Sequence, residues 1–469
     1  MTDATSNAEQ SPSISEVLAE FAATSEFGAL PSEVIDYALL CIADSVGIAF
    51  ASHQFSFAQS GIGAMQALGS TGICSVIGGE QLLSSRDAAF LNGLLVHGLD
   101  YDDTHSESII HCSASALPMA LAQGYTHGAS GPEALMAYIV AVEASARLGQ
   151  VADGMFQKNG FHPTGLVSVF GCTLGAAKLA NLTEAQTIRA QGIALSMASG
   201  SMQFLEDGAW TKRMHPGDSA SNSIMATALA ANDFQGPADA YQGRYGLYPL
   251  YLPGQKVDVE PVTRELGHHW ELLNIAVKPY PVCHFNHACI DSVILLMQQH
   301  NLDPGDIQEV TALLHENQFD VVCKPAEAKR IPTSDYDAKF SIQYCIAAAA
   351  VRGEFGLAEL EPDALRNKEI LALAQGVNFE HREQSQFPEY FSGGVRIKTS
   401  TGEFLEHYEP VNRGAAGRAL STEEVRHKFN ANMLTSTNQS RADDIWQAIM
   451  ALPSAATLEQ FNHILSARG

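Results

Sequence analysis

From Ile14 to about Ala231 apolar residues recur at helical spacing, in runs broken by Gly, Pro and Asn. Pro31-Ser32-Glu33 opens one such run, in which Ile35, Leu39, Ile42 and Val46 keep the period. Gly131-Pro132-Glu133 opens another, carrying Leu135, Ile139, Val142 and Ala146. Small residues at 171–180 and 193–201 predict helices in close contact with neighbours, as in a large all-helical core. The pattern changes after about Pro261. Residues 309–314, 394–399 and 403–408 are β-branched or alternating, and Thr401-Gly402 between the last two signals a hairpin. Helices are predicted among these strands around 284–299 and 337–351, and again in the tail at 423–428 and 441–452. The fold class is therefore mostly α with α+β: a helical domain, then a smaller α+β domain over 262–405, then a helical tail that can return to the first domain.

A chain of 469 residues exceeds what one core supports, in keeping with two domains. The longest apolar stretches, such as Tyr37 to Ala51, are interrupted by Asp44 and Gly47 and are shorter than the roughly 20 residues a membrane span needs. Met1 to Ser15 is polar, without a basic region and apolar run, so a cytoplasmic address is expected. The eight cysteines are scattered without a CxxC pair and read as thiols. A net charge of −25 weighs against nucleic acid and anionic membranes as partners. It equally means that a site for an anion must gather its few cations locally.

Seven of the 17 histidines fall in four short polar clusters, each beside a predicted helix start, and that concentration directs attention to them. The first runs from His97 to His111. Asp100, Asp103 and Thr104 lie three or four residues apart and share a face if the segment is helical. Ser113 or Ser115 is positioned to cap the helix that follows. Gly160-Phe161-His162-Pro163 leads into a second helix, Trp210 to Gly217 precedes a small-residue helix from Ser219, and Lys278 to His287 opens a helix to Gln299. Converging helix N-termini would form an anion pocket, with Lys212, Arg213 and Lys278 adding formal charge.

Each cluster also has a bland explanation. One His-Pro before a helix is more often a structural turn, Lys212-Arg213 reads equally as a solvated pair, and Cys283 as a small buried hydrophobe. Asp102, Asp103, His105, His111 and His162 are plausible metal ligands, yet no HExxH, CxxC or facial-triad spacing occurs, so no metal is expected. There is no GxGxxG between strand and helix, no GxxxxGK[ST] and no GxSxG.

Taken in order, VHGLDYDDTHSESIIHCSAS (96–115), GFHPTG (160–165), TKRMHPG (211–217) and KPYPVCHFNH (278–287) resemble the MmgE/PrpD superfamily, which includes 2-methylcitrate dehydratase and cis-aconitate decarboxylase. The resemblance covers nearly the whole chain. It implies a large helical domain built from both ends, residues 1–261 and 406–469, with a smaller α+β lid domain at 262–405. It also implies a homodimer with no metal or organic cofactor and a site in the cleft between domains. Carried over by position, Asp100, Thr104, His111, His162 and Cys283 are expected in catalysis, and Lys212, His215, Lys278 and His287 in holding the substrate. Residues 105–110 resemble the fungal decarboxylase form more than the Trp-containing form, and Asp218 and Ser221 stand where bulkier or basic residues are common.

The chemistry implied is that of a lyase on a small di- or tricarboxylic acid, by dehydration or by decarboxylation. In either, lysines and helix N-termini grip carboxylates, and His111 and His162 share the proton transfers while Asp100 orients or tunes one of them. An epimerase of an acid such as iminodisuccinate is the second reading, and a non-catalytic metabolite binder the third.

Overall fold

The computed structural model describes residues 12–466, so residues 1–11 of the polar N-terminal stretch lie outside the described residues. The chain is mostly helical with small sheets, as its periodicity predicts. Local sequence sets the helix starts. Ser13 with Glu16 and Ser130 with Glu133 form capping boxes, in which each hydroxyl accepts from the backbone while the glutamate reaches back to the cap N–H.

Two principal hydrophobic cores organise the molecule. The larger draws on residues from Ile14 to Val277 and from Leu420 to Leu465, and the smaller on Tyr280 to Leu405. Residues 262–277, read from sequence with the smaller domain, pack into the larger core through Val262, Trp270, Leu272, Ile275 and Val277. Arg147 explains this. Its buried guanidinium donates to the carbonyls of Pro261, Arg264 and His269, fastening the segment to the helix Gly131–Gln150.

The apolar run at Tyr37–Ala51 is part of a 21-residue helix, Ser32–Ser52, which by length and composition alone could cross a membrane. It is instead largely buried in the larger core, against Ser85–His97 and the C-terminal helix Thr422–Met433. Asp44 at its centre lies 2.7 Å from Lys428 Nζ on that C-terminal helix.

The sheet of the smaller core has the order Val377–His381, Ile307–Leu314, Gly393–Thr399, Phe404–Glu409. The first pair is parallel and the others antiparallel. The hairpin turns at Gly402, whose φ of 89° suits glycine. Val377–His381 alternates apolar and polar residues, yet escapes sequence reading because it is only five residues long and follows closely on the helix Lys368–Gln375. The helices His287–His300 and Ile342–Arg352 pack together beside the sheet.

A two-residue pairing positions the site. Thr104–His105 lies antiparallel to Ile275–Ala276, which brings the first histidine cluster beside the segment leading to Lys278.

Candidate active site

The segment after His97 is a turn, not a helix. The helix Ser85–His97 ends there, and Asp100 takes a left-handed backbone with φ 54°. Asp100, Asp103 and Thr104 therefore do not share a face. Asp103 turns back to accept from the Ser113 hydroxyl and, at 3.1 Å, from the Ser113 N–H. The helix Cys112–Thr126 is thus entered from His111, whose own side chain makes no cap bond, and the Asp103 carboxylate takes the first-turn N–H of Ser113 in its place. His105 is held by Ser108 and by Glu271 at 3.1 Å, so it shapes the segment.

Asp100 faces the lysines. Lys212 Nζ donates to its Oδ1 at 2.8 Å, and Lys278 Nζ to the same oxygen at 3.1 Å and to the Asp100 carbonyl at 2.9 Å. Burial alone would raise the Asp100 carboxyl, but the two ammonium groups hold it well below its ordinary value. The TKRMHPG motif is not a loop ahead of a helix. It forms the first turns of the helix Thr211–Ala231, which points Lys212 inward. Arg213 is likewise buried, with its guanidinium 4.4 Å from the centre of the Phe57 ring.

The histidines stand beside this charge cluster. His111 Nδ1 lies 2.8 Å from the Asp103 carbonyl, 3.3 Å from Thr104 Oγ1 and 3.4 Å from Asp102 Oδ2. A carbonyl only accepts, so Nδ1 carries the proton and Nε2 is the basic nitrogen. The His111 N–H donates to Thr164 Oγ1, linking it to the start of the helix Pro163–Leu179. His162 pairs with His215 through their Nδ1 atoms at 3.0 Å, and Phe204 packs edge-on to both rings. His111 and His162 have ring centres 6.0 Å apart. Burial, reinforced by His97, Lys278 and Lys212, keeps His111 neutral well below the ordinary histidine value. Burial and Lys212 do the same for His162, and burial and His97 bring His215 down to about 4.

Two sequence-selected residues sit differently. Cys283 is half-buried, and burial pushes its thiol up to about 11, so it is a thiol and not a nucleophilic thiolate at neutral pH. His287 is fully buried, with Nε2 3.1 Å from the Val282 carbonyl and its ring against His284 and Tyr280. No hydrogen bond joins it to Asp100, Lys212 or Lys278 among the described residues.

Sequence reasoning set His97 at the edge of the first cluster and Asp102 among possible metal ligands, but gave neither a catalytic or binding role. His97 Nδ1 lies 2.8 Å from Asp102 Oδ2, its ring centre is 4.5 Å from that of His111, and its Nε2 is buried without a partner among the described residues. Both lie in the quoted motif, but a five-residue separation closed by a left-handed turn matches no helical spacing rule. Lys339 and Lys428, which also reach this turn, have no motif around them.

Among the described residues, two sets could offer metal ligands within 4.8 Å of one another: His97, His111 and His162, and Asp100, Asp102 and His111. In the second set the Asp100 carboxylate is already engaged by two ammonium groups. Their charge, felt at His111 and in part at His162, also opposes a dication at the first. The arrangement suits an organic anion better: fixed cations beside neutral, proton-accepting imidazoles. A cleft of about 970 Å³ is lined by Phe55, Ser334, Asp335, Lys339 and Arg366 among others; none of the clustered histidines, Asp100, Lys212 or Lys278 lines it, and Lys339, which donates to the Leu99 carbonyl, is its link to this turn.

Comparison with known proteins places the chain in a family. The MmgE/PrpD N-terminal domain matches residues 16–260 and the MmgE/PrpD C-terminal domain residues 280–453. A cis-aconitate decarboxylase of Aspergillus terreus is 25% identical over 445 residues, covering 90% of each chain. The cis-aconitate decarboxylase of Mus musculus is 26% identical over 74% of this chain and 71% of its own. A probable 2-methylcitrate dehydratase of Saccharomyces cerevisiae is 22% identical, covering 72% and 68%. Decarboxylases and dehydratases of these kinds are both lyases, and with both domain matches in their expected order the chain belongs to the MmgE/PrpD family of lyases.

Proposed function

We propose that the protein is a cofactor-independent lyase acting on a small di- or tricarboxylic acid, by decarboxylation of a cis-aconitate type or dehydration of a 2-methylcitrate or citrate type. The observation that carries this is the shared Asp100 oxygen. Lys212 uses one N–H on Asp100 and Lys278 two, so of three N–H groups each, two and one remain to grip substrate carboxylates. His111 and His162, held neutral beside them, are the proton carriers.

In dehydration, a histidine takes the proton next to a carboxylate, the lysines stabilise the enediolate, and the hydroxyl leaves as water with a proton from the second group. In decarboxylation, the carbon–carbon bond to one carboxylate breaks and carbon dioxide departs. The electron pair left behind, delocalised toward a remaining carboxylate, takes a proton from a histidine that has first picked one up from solvent and so returns to its neutral form, one proton being consumed per turnover. The reading includes a homodimer, as the family resemblance implies, and the cytoplasmic address expected from the sequence.

The test is to incubate chelator-treated protein with cis-aconitate, citrate, 2-methylcitrate and iminodisuccinate in deuterated water and follow each by NMR. Loss of carbon dioxide or of water from one acid supports the proposal. Deuterium wash-in without net turnover would move the assignment to an epimerase. Activity lost to chelator and restored by a divalent metal would overturn cofactor independence.

A further inference from the structure

Three consecutive carbonyls of the turn after His97 each accept from a different buried lysine. Leu99 O accepts from Lys339, Asp100 O from Lys278 at 2.9 Å, and Tyr101 O from Lys428 at 2.8 Å. Lys339 ends the short helix Asp335–Lys339, Lys278 lies where the two cores meet, and Lys428 is on the C-terminal helix Thr422–Met433. Their exposures are 1%, 2% and 5%.

Burying an ammonium group is costly, and a carbonyl in a loop is ordinarily satisfied by a backbone N–H or by water. Three such groups on successive residues therefore demand a purpose beyond hydrogen-bond satisfaction. The residue at their centre supplies one. Asp100 is a non-glycine residue in left-handed conformation, a state that persists only where its surroundings over-determine it. Fixing its peptide on both sides aims the carboxylate at Lys212 and Lys278.

Both outer lysines have further attachments. The Lys339 carbonyl accepts from the Cys283 N–H at 2.9 Å and from Asn286 Nδ2 at 3.0 Å, tying the KPYPVCHFNH segment to the same clamp. Lys428 Nζ lies 2.7 Å from Asp44 Oδ1 and 3.8 Å from the centre of the Tyr101 ring.

We propose that Lys339 and Lys428 are positioning residues for the reaction proposed above, acting with Lys278 as a three-point clamp that sets the geometry of Asp100. The clamp makes the active site depend on the second core and on the C-terminal helix, neither of which contributes Asp100, His111 or His162. It also has a titratable member. Burial, against Asp335 and Asp100 which favour its charge and with Arg213 and Lys278 which oppose it, lowers Lys339 to about 8. Its grip on Leu99 then weakens as pH rises through that value.

The test compares wild type with Lys339→Met, Lys339→Arg and the pair Asp44→Asn/Lys428→Met, which leaves no buried carboxylate facing a missing cation. Lys324→Met, at an exposed lysine, is the control. Amide hydrogen exchange of peptides over 97–105 is read together with kcat, KM and the pH profile. We expect faster exchange confined to this turn in Lys339→Met and in the pair, and a roughly tenfold to hundredfold fall in kcat with KM little changed. Lys339→Arg should restore slow exchange and move the alkaline limb upward. Unchanged exchange over 97–105 in both Lys339→Met and the pair overturns the clamp, as does acceleration spread evenly over the molecule. If wild type turns over none of the acids, the functional reading fails, while the exchange comparison still decides the clamp.

Discussion

Lys212 Nζ lies 2.8 Å from Asp100 Oδ1, a contact between the first turn of one helix and a left-handed turn 112 residues earlier. The pair lends the site its fixed dipole, and Lys278 on the same oxygen leaves the cluster with one net positive charge. Lys212→Met is expected to raise KM for a carboxylic acid substrate about tenfold to hundredfold, the worth of one or two charge-assisted hydrogen bonds. Steady-state kinetics decide it, and an unchanged KM would remove Lys212 from substrate binding. Asp100→Asn should act differently, leaving two ammonium groups facing each other uncompensated and lowering stability by about 3–5 kcal/mol in urea titration.

For a dehydration, in which a neutral histidine must take the proton, the acid limb of activity should lie below pH 6.5, the ordinary histidine value. His111 and His162 have folded values depressed by burial and by their cationic neighbours, so their neutral, basic forms persist as pH falls through 6.5. A profile of log kcat/KM against pH tests this, and a limb at 6.5 or above would contradict it.

Stability carries the matching cost. The unfolded chain protonates its histidines near 6.5 while His215 in the folded state waits until about 4. Across that window His215 subtracts about 1.4 kcal/mol per pH unit as pH falls, before discounting for its partial exposure. Asp103, raised by burial to about 7, and Asp44, raised to about 6, act with the opposite sign, favouring the folded state as pH falls toward 3.8. The net curve is therefore flattened, and the His215 part emerges by difference. His215→Asn should lose less stability than wild type between pH 6.5 and 4, and parallel curves would refute the assignment.

His97→Phe keeps an aromatic ring but removes the partner of Asp102. It also removes a group whose charge lowers His111. With Asp102 left to His111 alone, at 3.4 Å, the imidazolium form of His111 is favoured. The acid limb should move upward and kcat fall about tenfold or more. An acid limb that stays in place would confine His97 to packing.

Much of this site was legible because its motifs flank helix starts, where backbone direction and polar residue type are locally coupled. Helix existence and the hairpin at Gly402 follow from spacing and turn chemistry. What stayed hidden depends on the third dimension. The left-handed φ of Asp100 undid the expectation of a helical face, and the interior direction of Lys212 and Arg213 came from a helix beginning at Thr211 instead of at Ser219. Lys339 and Lys428 reach the turn across 240 and 327 residues, a distance no local pattern encodes.

The helix that ends in His97 and the helix that begins at Thr211 and carries Lys212 are held together by two glycines. A Cβ on Gly93 would fall 2.5 Å from Gly217 Cα, and one on Gly217 would fall 2.1 Å from the Phe90 carbonyl oxygen. Both obstacles are backbone, so neither can swing aside as a flexible side chain would. Gly217→Ala must therefore push the helices apart by a fraction of an ångström or more. Since His97 and Lys212 sit on opposite sides of that contact, the displacement reaches the Asp100–Lys212 pair. Overpacking of this kind costs about 1–3 kcal/mol in stability. Activity should fall further than stability alone explains, because a small misplacement of catalytic groups costs up to about a hundredfold. Comparing kcat at a temperature where the variant is fully folded with its unfolding free energy separates the two effects. Full activity in a folded Gly217→Ala protein would show that close approach of these helices is dispensable for the site.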